Sequence, residues 1–359
     1  MIVFLMVFVI FVSGCGTDKD KSVTGDFSDK NPSGLVNVNV TPDSVTVGKT
    51  FRRGIEDSRY ALAGRYGNVE AFSVFTFNLN YVEIDSLIGA FLKFDVYDVW
   101  KDGVAEFELF ETHSEWPDTL RIDSGSFLGE LGSPISAASD TGIAFSELTF
   151  EIDPEIIRDV RDIKGFLVKS SSEGTSIVSL QTDNTNYPPV LKLISLSGEE
   201  YPDTSFVNSS KGTYYINTGI GGAKPVVSEG DKSGFALNIG LPESVLHLAS
   251  INKCILKMSV SESTIPDPPM SIYVYKLDSQ FTTIDSVDVD TQSSIIVEAF
   301  SDETYEIDIT DIVNRWHIGG ETNYGLIFQP NDNEISPNQL VFTPSDSLMI
   351  TLTPLPEIE

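Results

Sequence analysis

Phe91-Leu-Lys-Phe-Asp-Val96 and Ile255-Leu-Lys-Met-Ser-Val260 are the two stretches on which the fold turns. Each alternates apolar and polar side chains with a period of two, the signature of a strand with one buried face. They share a central Leu-Lys pair and lie about 160 residues apart, so they mark an internal repeat as well as a strand.

Reading outward, the same offset recurs in the same order. Phe75-Thr-Phe-Asn-Leu79 matches Phe235-Ala-Leu-Asn-Ile239, and Phe107-Glu-Leu-Phe110 matches Ile272-Tyr-Val-Tyr275. Trp116 falls opposite Phe281, and Glu151-Ile-Asp153 matches Glu306-Ile-Asp308, each after an aromatic residue. A short helical turn follows in both copies, with Ile156, Ile157 and Val160 against Ile312, Val313 and Trp316. Gly165-Phe-Leu-Val168 then matches Gly325-Leu-Ile-Phe328, and each copy closes on an alternating run, Val190 to Leu196 and Leu348 to Leu352. Strands broken by Gly, Pro, Asn and Asp, without long helical periodicity, predict an all-β chain of two tandem β-sandwich domains. The expected boundaries are 45–197 and 198–359, joined at the polar stretch Ser197-Gly-Glu-Glu-Tyr-Pro202.

The 359 residues carry 53 acidic and 23 basic side chains, a net charge of −30. Such a surface repels phosphate backbones, which excludes nucleic acid as a partner. The N-terminus reads Met-Ile-Val-Phe-Leu-Met-Val-Phe-Val-Ile-Phe-Val12, an apolar run of signal-peptide length, then Val12-Ser-Gly-Cys15. This last stretch resembles the bacterial lipobox, although no Lys or Arg precedes the apolar run. The resemblance implies a signal peptide over 1–15, diacylation of Cys15 and attachment to the cell envelope, at the outer membrane or cell surface. Residues 16–44, rich in Gly, Thr, Asp, Ser and Asn, read as a flexible tether.

The second copy carries a further resemblance. Tyr305-Glu-Ile-Asp-Ile-Thr-Asp-Ile-Val-Asn-Arg-Trp316, followed by Asn323-Tyr-Gly-Leu-Ile-Phe328 and a closing strand, resembles the DNRLRE-type domain. The upstream segments Ile-Leu-Lys-Met-Ser-Val260 and Ser-Ile-Tyr-Val-Tyr275 are similar to strands of that family. The first copy departs from it: Val160 stands in place of Trp, and Ile163-Lys-Gly165 replaces Asn-Tyr-Gly. The resemblance implies a jelly-roll in each copy, related to carbohydrate-binding modules.

Trp316 shares one face of a helical turn with Ile312 and Val313 and is expected in the core. Trp116, beside Pro117, and Trp100, beside Lys101-Asp-Gly103, are the candidate ligand-binding aromatics, because a flat indole can stack on a sugar ring. Calcium could use oxygen-rich clusters such as Asp285, Asp288 and Asp290, or Asn331-Asp-Asn-Glu334, but neither has the pattern of a calcium helix–loop–helix. Cys254, within an apolar strand, reads as an inert buried thiol.

No catalytic constellation emerges. His113, His247 and His317 lack metal-ligand spacing, no Gly-x-Ser-x-Gly elbow occurs, and Gly48-Lys49-Thr50 lacks the first Gly of a phosphate loop. The leading expectation is a non-catalytic envelope lipoprotein that binds glycan or another surface ligand. The alternatives are a structural or adhesive module that binds protein, and a polysaccharide-active enzyme.

Overall fold

The computed structural model of the chain describes residues 36–40, 45–52 and 59–354, leaving out within that last span 80–85, 104, 114–130, 140–143, 159–164, 184, 198–200, 218–223, 231, 242–248, 282–288, 301–302, 332–334 and 344–346. Strands dominate it. In chain order they are β1 (Val36–Val40), β2 (Val45–Arg52), β3 (Tyr60–Tyr66), β4 (Val69–Phe77), β5 (Leu87–Lys101), β6 (Glu106–Thr112) and β7 (Ser136–Ser139). Then follow β8 (Glu147–Ile152), the helical turn α1 (Pro154–Arg158), β9 (Gly165–Ser170), β10 (Ser176–Gln181), β11 (Val190–Ser197) and β12 (Tyr201–Asn217). The rest are β13 (Val226–Ser228), β14 (Ser233–Ile239), β15 (Ala249–Thr264), β16 (Met270–Leu277), β17 (Val289–Ala299), β18 (Thr304–Asp308), α2 (Thr310–His317), β19 (Leu326–Pro330), β20 (Gln339–Phe342) and β21 (Ser347–Pro354).

The strands form two antiparallel systems, which we call unit one and unit two. Hydrogen bonding runs β12-β11-β5-β10-β3-β4-β9-β6-β7 in unit one and β1-β21-β15-β20-β13-β14-β19-β16-β17 in unit two. The two paths correspond strand for strand. The side branches correspond as well: β8 lies on β5 as β18 lies on β15, and the far half of β12 lies on β4 as β2 lies on β14. The duplication seen in the sequence is therefore a duplication of topology.

Two pairs of corresponding ladders check the expected residue matches. Leu191 faces Leu92 and Leu348 faces Leu256, which keeps Leu92 and Leu256 equivalent. Phe75, however, faces Phe166, whereas the residue facing Leu326 is Leu237. The counterpart of Phe75 is thus Leu237 rather than Phe235, a slip of two residues. An even slip keeps the same side chains on the buried face, which is why the hydrophobic pattern alone does not detect it.

Each unit encloses its own core. In unit one Phe75, Phe94 and Phe150 stand in sequence, with ring centroids 4.8 and 6.1 Å apart. In unit two Phe235 stacks on Phe328 at 4.8 Å and 4°. The helical turns close one end of each core: Ile157 is buried in α1, and Ile312, Val313 and Trp316 are buried in α2, as the spacing requires. The side chain of Asp308 accepts the Thr310 amide at 3.0 Å, Asp311 lies in the first turn and Arg315 in the last, so charge and helix dipole agree. The Thr310 hydroxyl accepts the Cys254 amide at 2.9 Å and ties α2 to β15.

Strand pairing departs from the expected boundaries in three segments, β1, β2 and β12. β1 lies inside the stretch read as tether, yet it pairs with β21 from Val36↔Leu352 to Val40↔Leu348. β12 follows the expected junction, yet it pairs with β11 and β4 of unit one, while β2 pairs with β14 of unit two. Local patterning marks a segment as a strand, but the edge it joins depends on distant partners. The expected leader at 1–15, with Cys15, and residues 16–35 of the tether lie outside the described residues.

Candidate functional site

Between the two units lies a cavity of about 330 Å³, lined by Tyr60, Tyr97, Asp98 and Trp100 of unit one and by Glu229, the Asp267–Pro269 segment and the Ile335–Asn338 segment of unit two. This volume is at the lower end of ligand-sized clefts, about 300–1,000 Å³.

The aromatic wall is built by a bulge. In the β5–β10 ladder Asp98 faces Ser179 and Val96 faces Leu180, so Tyr97 is the extra residue of β5. A bulge breaks strict alternation and re-aims a side chain. Tyr97 is 39% exposed and stacks on Tyr60, with ring centroids 4.3 Å apart and 28° between planes. Phe145, 78% exposed, forms a T-shaped pair with Tyr97, with ring centroids 5.5 Å apart. Partial burial first, and the hydrogen bond with Tyr97 second, push the Tyr60 phenol above its ordinary pKa, so it stays protonated at neutral pH. Trp100, two strand positions beyond Asp98, is 7% exposed, with most of its surface in the unit-one core.

The opposite wall is polar and braced. Glu229 is fully buried, and its carboxylate accepts the Ser336 hydroxyl and, at 3.0 Å, the Asn338 side-chain amide. That amide also donates to the Asp267 carbonyl at 2.8 Å, and the Asn338 carbonyl accepts the Glu229 amide at 3.0 Å. A buried carboxyl group is tolerable only with such partners, and the network fixes the wall. The units also meet directly: the buried Tyr214 hydroxyl donates to the Gly230 carbonyl, and Ile335 packs against the unit-one core.

Of the residues singled out in the sequence, Trp100 lines the cleft, whereas Trp116 and the expected lipidation site Cys15 lie outside the described residues. Trp316 is in the unit-two core. Among the calcium candidates, Asp285, Asp288, Asp332, Asn333 and Glu334 lie outside the described residues, Asp290 is held by Arg315, and the Asn331 carbonyl accepts Lys232 at 3.0 Å. Among the described residues no three His, Cys, Asp or Glu side chains gather as metal ligands, and no helix is long and apolar enough to cross a membrane. His113 contacts Glu111 at 3.3 Å on the surface, His317 ends α2, and His247 lies outside the described residues. The sequence reading missed Tyr60, Tyr97, Glu229, Ser336 and Asn338. The one sequence signal near them is Asp267-Pro-Pro269, a break between strands that also reads as an ordinary turn.

No family model and no curated protein matches the chain.

Proposed function

We propose that the chain is a non-catalytic envelope lipoprotein, anchored through Cys15, whose two DNRLRE-like jelly-roll units bind a glycan in the cleft between them. The observation that carries this reading is the stacked Tyr60–Tyr97 pair facing a hydrogen-bonded polar wall. Flat rings supply apolar faces for sugar C–H groups, and fixed polar groups opposite them orient hydroxyls. Asp98, Glu229 and Asp267 make the cleft acidic, in keeping with the net charge of −30. Acidic polysaccharides are disfavoured by that charge, so the ligand class is a neutral glycan.

The test is binding of the purified chain to matched panels of neutral and acidic polysaccharides, with Tyr97→Ala as the control. The expected result is retention on a neutral member and a loss of affinity of about tenfold or more in the variant, equivalent to about 1.4 kcal/mol. Absence of binding across the panel, or full affinity in Tyr97→Ala, would overturn the reading.

An adhesive role has one observation in its favour. Ile88, Leu196 and Phe206, 52, 44 and 66% exposed, are apolar residues on β5, β11 and β12 that remain open to solvent. Protein capture that is lost on Phe206→Ser but kept in Tyr97→Ala would shift the assignment to that surface.

A further inference from the structure

Each unit is completed by a segment from outside its own run of chain. In unit two, β1 covers the edge of β21 and β2 covers the edge of β14. In unit one both tasks fall to β12: its first half pairs with β11 from Ser197↔Tyr201 to Val190↔Asn208, and its second half pairs with β4 from Ser209↔Phe77 to Asn217↔Glu70. Strands β1 and β2 together, and strand β12, are therefore equivalent donors on equivalent edges. In sequence, β1 and β2 precede unit one and β12 precedes unit two. In space, each serves the other unit.

We infer that the edges of β21 and β14 form a strand-binding site whose ligand is the chain's own strands β1 and β2, reciprocally exchanged with β12, and that this exchange holds the two walls of the cleft together. A sheet edge is a row of unpaired amides and carbonyls, and an extended segment satisfies it through main-chain bonds with little demand on sequence. Because both edges have the same topology, either donor meets the geometry of either acceptor. The exchanged arrangement ties the units twice, once through 53–59 between β2 and β3 and once through 218–225 between β12 and β13. Those crossings end close to the cleft. Tyr60 is the first residue of β3, and Glu229 follows β13 directly. Tyr214, on β12 within the exchanged segment, makes the hydroxyl contact to Gly230. The strand exchange does not depend on what the cleft holds, and a chain that binds no glycan would keep it.

Two experiments on the full-length chain test it. A protease site inserted between β11 and β12, at 198–200, cuts the chain into pieces that are interlocked if the strands are exchanged. The expected result is co-elution of both fragments in gel filtration until denaturant is added, whereas separation under native conditions would overturn the inference. A cysteine pair then reads the connectivity, in a Cys15→Ser background. Thr46 faces Asn238 in the β2–β14 ladder, so Thr46→Cys with Asn238→Cys should form a disulfide within one chain. Without exchange residue 46 would instead occupy the place of Lys211, opposite Thr76. A disulfide in the Thr46→Cys, Thr76→Cys chain, or none in the first pair, would show that each unit keeps its own preceding segment.

Discussion

Gly325 passes so close to β14 that a Cβ added to it would stand 2.3 Å from the carbonyl oxygen of Leu237. Its φ of +97° is a second reason for glycine, because an L side chain rarely adopts it. The Asn323 side-chain oxygen Oδ1 accepts the Gly325 backbone amide at 2.9 Å, and the Asn323 side-chain Nδ2 donates to the Ile239 backbone carbonyl at 2.6 Å. The Asn-Tyr-Gly stretch is thus a structural clasp between β19 and β14. Gly325→Ala should lower the stability of unit two by about 1–3 kcal/mol, the scale of a strained backbone position. Chemical denaturation would show it as a lower midpoint, and an unchanged midpoint would refute the assignment.

Trp316 is 6% exposed, and its indole Nε1 has no hydrogen-bond partner among the described residues. Its contribution is therefore packing against the unit-two core rather than a polar contact. Trp316→Ala should cost about 3–5 kcal/mol as a cavity-forming change, and Trp316→Phe clearly less. Equal losses in the two variants would mean that the indole nitrogen carries the interaction.

Cys254 is fully buried, and burial first, then the charge of Asp308, push its thiol up to about 12. A thiol held protonated is a poor nucleophile. In a Cys15→Ser chain, Ellman's reagent should fail to label Cys254 in the native state and label it readily in denaturant. Rapid native labelling would contradict the burial.

A charge network joins β16, α2 and the segment after it. Lys276, its side chain 4% exposed, pairs with Asp278 and, at 2.7 Å, with Glu321; Arg315 reaches Glu321 at 2.9 Å and also holds Asp290. The hydrogen bond from Lys276 first, then that from Arg315, hold the Glu321 carboxyl below its ordinary pKa. For Lys276 burial opposes the charge, but Asp278 and Glu321 outweigh it and the net shift is upward. A depressed carboxylate contributes stability above its unfolded pKa, near 4.3, and loses it as pH falls through the lower folded value. A raised lysine contributes below its unfolded pKa, near 10.4, and loses that contribution as pH rises through the higher folded value. Glu321→Gln should therefore be less stable than the parent near neutrality, and the gap should close in acid. Denaturation midpoints measured from neutral pH into the acid range test this, and a gap independent of pH would exclude the electrostatic account.

The all-β class, the duplication and the helical turn that buries Ile312, Val313 and Trp316 were legible in the sequence. These are periodic properties: an alternating run specifies a buried face wherever its partner lies, and spacings of one and four fill one side of a helix. The sequence located Trp100 but not the cleft that Trp100 lines. Which edge each strand joins is set by the folded arrangement, with β1 and β2 on unit two and β12 on unit one. Edge pairing is made by main-chain groups that every residue carries, and it leaves little trace in the side-chain pattern. The Tyr60–Tyr97 stack has the same origin. It depends on a bulge in β5 and on the meeting of segments as far apart as Tyr60 and Asn338, neither of which a one-dimensional pattern encodes.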